Sequence, residues 1–151
     1  RIDSFLDQCV DQAQTQGYVE TMLGRRRAIP QVHARNPQER ALGERVAINS
    51  VVQGSAADLI KLAMINIQRE IDAARSPGDA HGLQSVGVDV RDALAQSRMV
   101  LQIHDELVFE TPRKFADAAQ KFIVDRMQHA MKLKVPLVVE SAYGENWIDA
   151  K

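Results

Sequence analysis

The chain has 151 residues, 45% apolar and 26% charged, with 19 lysines and arginines against 20 aspartates and glutamates and a net charge of −1. That is enough for one ordinary domain with a real core, without the composition of a disordered chain. The balance excludes a general polycation that coats nucleic acid, and no apolar run reaches the roughly 18 residues of a membrane span or has the form of a signal peptide, so no membrane partner is expected.

The chain opens at Arg1, directly in a helical pattern, and is expected to be a piece of something longer. Ser4 to Gln16 is predicted helical, with Phe5, Cys9 or Val10, and Ala13 on one side and Gly17 as the stop. Cys9 is the only cysteine, so no disulfide framework exists, which favours a reducing, cytoplasmic setting. "YVETMLGRRRAIP" then changes to a two-residue rhythm: Tyr18 and Val19, a turn at Leu23-Gly24, and Ala28-Ile29 after it. That is a short hairpin with arginines at its tip and on its return strand, ended by Pro30. A helix is predicted from Pro37 to about Ser50, with a break or kink at Val51-Val52 and Gly54. Ser55 to Asp58 has capping-box-like spacing and starts a further helix, in which Ile60, Met64, Ile67 and Ile71 form a core-facing stripe. Asp58 and Lys61 are expected to cap and solvate it.

Ser76-Pro77-Gly78 ends that helix. The polar, weakly patterned stretch up to Ser97 is predicted to be a surface insertion over residues 75–97, with a short helix around Val90 to Gln96. Met99 to Glu110 reads as a hairpin of two buried strands. Phe115, Ala119, Phe122, Ile123, Met127 and Met131 mark an amphipathic helix, and "VPLVVES" (Val135 to Ser141) reads as a buried strand with Tyr143 and Trp147 packed beside it. The fold class expected is α+β: a small antiparallel sheet with a carboxylate-bearing hairpin, packed against helices on one face.

Chemistry concentrates in "LQIHDELVFE". His104, Asp105 and Glu106 sit where two apolar strands meet, at a joint with neither Gly nor Asn and so no obvious tight-turn residues. As isolated letters they fit a solvated turn. They also fit carboxylates held at a strand end, where an oxygen-seeking cation such as Mg²⁺ binds and assists phosphoryl or nucleotidyl transfer. One Asp and one Glu are too few for two-metal chemistry, whose carboxylates bridge cations roughly 3.5–4 Å apart. Arg45, Asn49 and Gln53 fall on one stripe if their helix continues that far. Such a stripe offers donors to the minor-groove acceptors present at every base pair, or is simply a solvated face. The four histidines and Cys9 lack zinc spacing, and no phosphate-binding glycine loop or nucleophile elbow is present.

Four ordered blocks, "GYVETMLGRRRAIP", "ERVAINSVVQGSAADLIKLAM", "LQIHDELVFE" and "VPLVVESAYGENW", resemble the C-terminal part of family A DNA polymerases of the bacterial polymerase I type. The resemblance spans the chain apart from about residues 73–96. It implies that residues 1–35 are the tail of the fingers with its return hairpin, and that residues 36–151 are palm. It implies Asp105 as a catalytic metal-binding aspartate, Glu106 as the adjacent catalytic and metal-binding carboxylate, and His104 as a DNA-binding residue near the primer terminus. Arg45, Asn49 and Gln53 would follow the minor-groove side of the primer–template. The implied partners are primer–template DNA, a deoxynucleoside triphosphate (dNTP) and the remainder of the polymerase chain. The implied cofactor is a two-metal Mg²⁺ site.

The sequence also departs from the family's pattern. The family's first aspartate motif is absent, as are the nucleotide-binding lysine helix and the thumb, so residues 1–151 alone are expected to be inactive. Val51 stands where the pattern has a proline, so the break there is expected to differ in shape. Two other classes stay open at this point: a non-catalytic DNA-binding or regulatory palm-like domain, and another palm-fold enzyme such as a nucleotidyl cyclase.

Overall fold

The computed structural model describes residues 2–76 and 87–150. The chain divides into two compact units, Arg1–Leu59 and Ile60–Lys151.

In the first unit, α1 (Ile2–Gln16) ends where expected. Gly17 takes φ +76°, a left-handed conformation that glycine adopts without side-chain cost. Its N–H donates to the Ala13 carbonyl at 2.9 Å, and its own carbonyl accepts from Ile29 N–H at 2.9 Å. The chain thus passes straight into the antiparallel pair β1 (Tyr18–Glu20) and β2 (Arg26–Ala28), with Tyr18 opposite Ala28 and Glu20 opposite Arg26. A 3-10 turn at Pro30–His33 follows. The core of this unit joins Cys9, Ala13, Val19, Ile29, Val32, Ala47 and Val51. Val19 and Ile29 are fully buried, each worth about 1.5–3 kcal/mol of apolar transfer.

The largest correction concerns the helix that follows. The expected break at Val51 to Gly54 does not occur: α2 is continuous from Pro37 to Arg75, 39 residues. Its start is as predicted, with Asn36 Oδ1 accepting from Gln38 N–H at 2.9 Å and Pro37 needing no donor. Val51 carries the N–H that a proline would lack, and it is buried in the first core. Gly54 costs about 1 kcal/mol of helix propensity, but it lies against Thr21 so closely that a Cβ would come within 2.6 Å of Thr21 Cγ2. Packing therefore outweighs propensity, and glycine is what the close approach to Thr21 admits.

In the second unit, Ile67 and Ile71 of α2 join Ala93 and Leu94 of α3 (Val88–Gln96) and Ala119, Phe122 and Ile123 of α4 (Ala116–Gln128) in one core. Ile60 and Met64, at the start of the predicted stripe, are only half-buried. α3 covers the predicted short helix and turns Ala93 and Leu94 into this core while Val88, Asp89, Asp92 and Gln96 stay exposed; residues 77–86 of the predicted insertion lie outside the described residues. Arg75 closes the C-terminal end of α3, donating to the carbonyls of Ala95 (3.1 Å) and Ser97 (2.7 Å), which an ending helix leaves without partners.

β3 (Arg98–Ile103) pairs antiparallel with β4 (Glu106–Glu110). Met99, Leu107 and Phe109 pack on the helical core, but no residue of either strand is fully buried, and Leu101 is 46% exposed. The predicted doubly buried strands are instead a half-open hairpin. The predicted strand over residues 135–141 does not form either, and Val135 and Val138 are 68% and 78% exposed. A strand persists only where a neighbour takes its backbone groups, and among the described residues the β3–β4 pair has no third strand. Tyr143 and Trp147, expected to be packed there, are exposed. The fold is the expected α+β mixture: among the described residues, helices with two two-stranded antiparallel sheets. No helix among the described residues is long and apolar enough to cross a membrane.

Candidate functional site

The joint of the second hairpin is tighter than its letters suggest. Ile103 pairs with Glu106, so His104 and Asp105 alone make the turn. His104 sits at φ +52°, where two-residue hairpins usually place glycine. For an L residue that conformation costs about 1–2 kcal/mol, although His tolerates it better than most. Gln102 Nε2 donates to the His104 carbonyl at 2.5 Å and braces the turn from the adjoining strand. Val100 is an extra residue between the Met99–Phe109 and Leu101–Val108 pairs, a bulge that adds local twist.

Alternation along β4 directs Leu107 and Phe109 to the core and leaves Glu106, Val108 and Glu110 on the other face. His104, Asp105 and Glu106 are all exposed. Among the described residues neither carboxylate has a side-chain partner, and no group of three His, Cys, Asp or Glu side chains is placed to hold a metal ion. Asp105 and Glu106 therefore offer hard oxygen donors at the end of a braced turn, but not a complete cage.

Because α2 is unbroken, Arg45, Asn49 and Gln53 do fall on one helical stripe, and all three are exposed. Ala47, Ser50 and Val51, turned away from it, are buried. Leu42 and Val52 flank the stripe with 47% and 52% exposure. The stripe belongs to the first unit and the His104 turn to the second.

Sequence reasoning missed a third constellation. Asp58, expected to be a solvated cap, is 7% exposed. Its Oδ1 accepts from Arg25 Nε at 2.8 Å and its Oδ2 from Thr21 Oγ1 at 2.5 Å. Arg25 Nη2 also donates to the Gly54 carbonyl at 3.0 Å, and Met22 N–H to Ser55 Oγ at 2.9 Å. Ser55 is thus a hydrogen-bond acceptor for the hairpin turn rather than a helix cap. The available signal was spacing: Ala47, Val51, Gly54, Ser55 and Asp58 share one face of an uninterrupted helix. Arg26 is likewise engaged, donating to Glu20 Oε1 at 2.7 Å and lying over the Tyr18 ring; the Glu20 hydrogen bond is the main cause of its raised pKa.

The structure thus combines helices with a two-stranded hairpin whose end carries two adjacent, exposed carboxylates. The model for DNA polymerase family A matches residues 1–149, and the chain belongs to that family. It is 36% identical over 150 residues to DNA polymerase I of Bacillus subtilis and 37% identical to that of Geobacillus stearothermophilus. Each comparison covers 99% of this chain but only 15% of the relative, so the chain spans about a seventh of those proteins. Among solved structures it is similar to the POL domain of Pol1 from M. smegmatis in complex with DNA primer-template and dNTP. That likeness has a TM-score of 0.79 and 38% identity, covering 99% of this chain and 23% of the other.

Proposed function

We propose that the chain forms part of the catalytic centre of a DNA-directed DNA polymerase, a nucleotidyltransferase that extends a primer along a template. The observation that carries this reading is the braced His104-Asp105 turn, which presents two carboxylates without side-chain partners among the described residues. Family membership and the primer–template and dNTP bound by the similar M. smegmatis domain support it. A cyclase reading has no such support.

In this reading residues 1–35 are the end of the fingers and residues 36–151 are palm. The reaction joins the primer 3′ oxygen to the α-phosphorus of the dNTP, with loss of the hydroxyl proton and departure of pyrophosphate. Asp105 and Glu106 would hold Mg²⁺, whose hard-oxygen preference their carboxylates fit. When bound, the metal supplies Lewis acidity at the phosphate and lowers the pKa of the attacking hydroxyl. The bracing by Gln102 keeps both carboxylates in place, and His104 contacts the primer terminus. Arg45 holds a phosphate or groove acceptor, while Asn49 and Gln53 test the newest pair through the minor-groove acceptors common to all correct pairs. The remainder of the polymerase chain supplies the further carboxylates, so residues 1–151 alone are inactive.

The test is Asp105→Ala in the full-length polymerase that contains this chain. Nucleotide addition on a primer–template falls to below about 1% of the parent, with circular dichroism unchanged because the turn is exposed and outside the core. Retention of a substantial fraction of activity overturns the assignment and favours a non-catalytic, DNA-binding role.

A further inference from the structure

The Thr21–Arg25–Asp58 constellation has no part in the chemistry just described, yet it is the most heavily hydrogen-bonded cluster outside the backbone ladders of the first unit. One hairpin turn reaches three residues of α2: Gly54 through its carbonyl, Ser55 through its hydroxyl, and Asp58 through both carboxylate oxygens. Thr21 Oγ1 also accepts from Arg25 N–H at 3.1 Å, so the two residues that grip Asp58 are bound to each other. The close packing of Thr21 on Gly54 admits no side chain between them.

Asp58 is buried while its partner Arg25 is half-exposed, so the cost of desolvating the carboxylate offsets much of what the pair gains, and the pair adds little net stability compared with an apolar contact of the same shape. What it supplies is direction. At roughly 100° per residue, Gly54, Ser55 and Asp58 occupy the side of α2 opposite Arg45, Asn49 and Gln53. Bonds to three residues on one side of a helix fix its rotation about its own axis, and hence where the opposite stripe faces. We propose that Asp58 is a positioning residue: by binding Thr21 and Arg25 it locks the rotation of α2, and so aims Arg45, Asn49 and Gln53 at the primer–template. This rests on the proposed groove-facing role of those three side chains.

The experiment measures kcat/KM for single-nucleotide addition to matched and mispaired primer termini, using the full-length polymerase and recording thermal midpoints alongside. Gln53→Ala lowers discrimination against the mispair about tenfold, the value of one good groove contact. Asp58→Asn keeps the size of the side chain but weakens the grip, and lowers discrimination about three- to tenfold. The double variant falls no further than the worse single variant to within about twofold, since both act through one element. Thr21→Val, a milder change that leaves the Asp58–Arg25 pair in place, shifts discrimination in the same direction, and Thr21→Ser restores it. Multiplying losses in the double variant overturn the proposal. So do lowered thermal midpoints with unchanged discrimination in Asp58→Asn and Thr21→Val, which make the cluster a structural tie only. If Gln53→Ala itself leaves discrimination unchanged, the groove reading fails and this inference falls with it; if only the Asp58 and Thr21 variants are silent, the groove reading survives.

Discussion

The two hairpins of this chain are built from the same element and use their charges in opposite ways. In β1–β2 the turn contains Gly24 at φ +78°, and its polar groups are engaged within the unit: Arg25 with Asp58 and Gly54, Thr21 with Asp58, and, on the exposed side, Arg26 with Glu20. In β3–β4 the turn has no glycine, His104 takes the left-handed conformation instead, and Asp105 and Glu106 face outward without side-chain partners among the described residues. A hairpin that serves as a tie satisfies its own ions. On the proposed function, the second hairpin accepts a cost of about 1–2 kcal/mol for a left-handed His104 and holds ionisable groups where something else meets them.

This contrast breaks most sharply if the first unit tolerates substitution at its close approaches. A Cβ at Gly43 would lie 2.7 Å from Val32 N and 2.8 Å from the Gln31 carbonyl carbon, both backbone atoms that cannot rotate away. Gly43→Ala is therefore expected to destabilise the first unit by about 1–3 kcal/mol, seen as faster amide hydrogen exchange across residues 18–33 of the intact protein. Parent-like exchange would mean that the fit is loose. A smaller effect tests the turns themselves. Gly24→Ala forces a side chain into the left-handed region, with open space around it, and costs about 1–2 kcal/mol. His104→Gly relieves the same penalty and leaves the second hairpin as stable or up to about 1 kcal/mol more stable, while nucleotide addition by the polymerase falls. If His104→Gly is both destabilising and active, the strained turn is a packing device and the comparison is lost.

How far the sequence carried the reading follows the same physics. The first hairpin, Gly17, the Pro37 start and the α4 stripe were legible because local chemistry decides them: a left-handed glycine, a proline at the first helical turn, a 3.6-residue period. The Arg45, Asn49 and Gln53 stripe was legible in spacing, but its reality depended on whether α2 ran through Gly54. That was decided by contact with Thr21, more than thirty residues away in sequence, which no local pattern records. The 135–141 segment failed for the complementary reason. Alternating apolar residues state a capacity for strand, whereas the strand itself requires a neighbour. The tightness of the His104-Asp105 turn was not legible because turn statistics favour glycine or asparagine at a left-handed position, and here a histidine takes it. Asp58 was misjudged because an acid near a helical serine reads as a cap until its partners are seen.

The least of the expected effects concerns a tether that resembles the Asp58 clamp in kind but lies in solvent. Tyr143 Oη donates to Asp117 Oδ1 at 2.9 Å, and Arg113 meets Glu145 at 3.2 Å beside it, both exposed. The hydrogen bond to Asp117, and then that carboxylate's charge, raise the pKa of Tyr143, with Arg113 pulling weakly the other way. A raised folded-state pKa means that the folded chain holds this proton more tightly than the unfolded chain. The tether's contribution is therefore fully present below the ordinary tyrosine pKa, about 10, and is lost as pH rises through the higher folded value. An ultraviolet titration of phenolate should place Tyr143 on the alkaline side of an unperturbed tyrosine, and Asp117→Asn should bring it back. Solvent screening makes exposed pairs worth little, so Tyr143→Phe should leave the thermal midpoint unchanged where Asp58→Asn lowers it. Equal shifts from the two variants would mean that burial does not separate clamp from tether, and would remove the physical ground for treating the first hairpin as the fixed one.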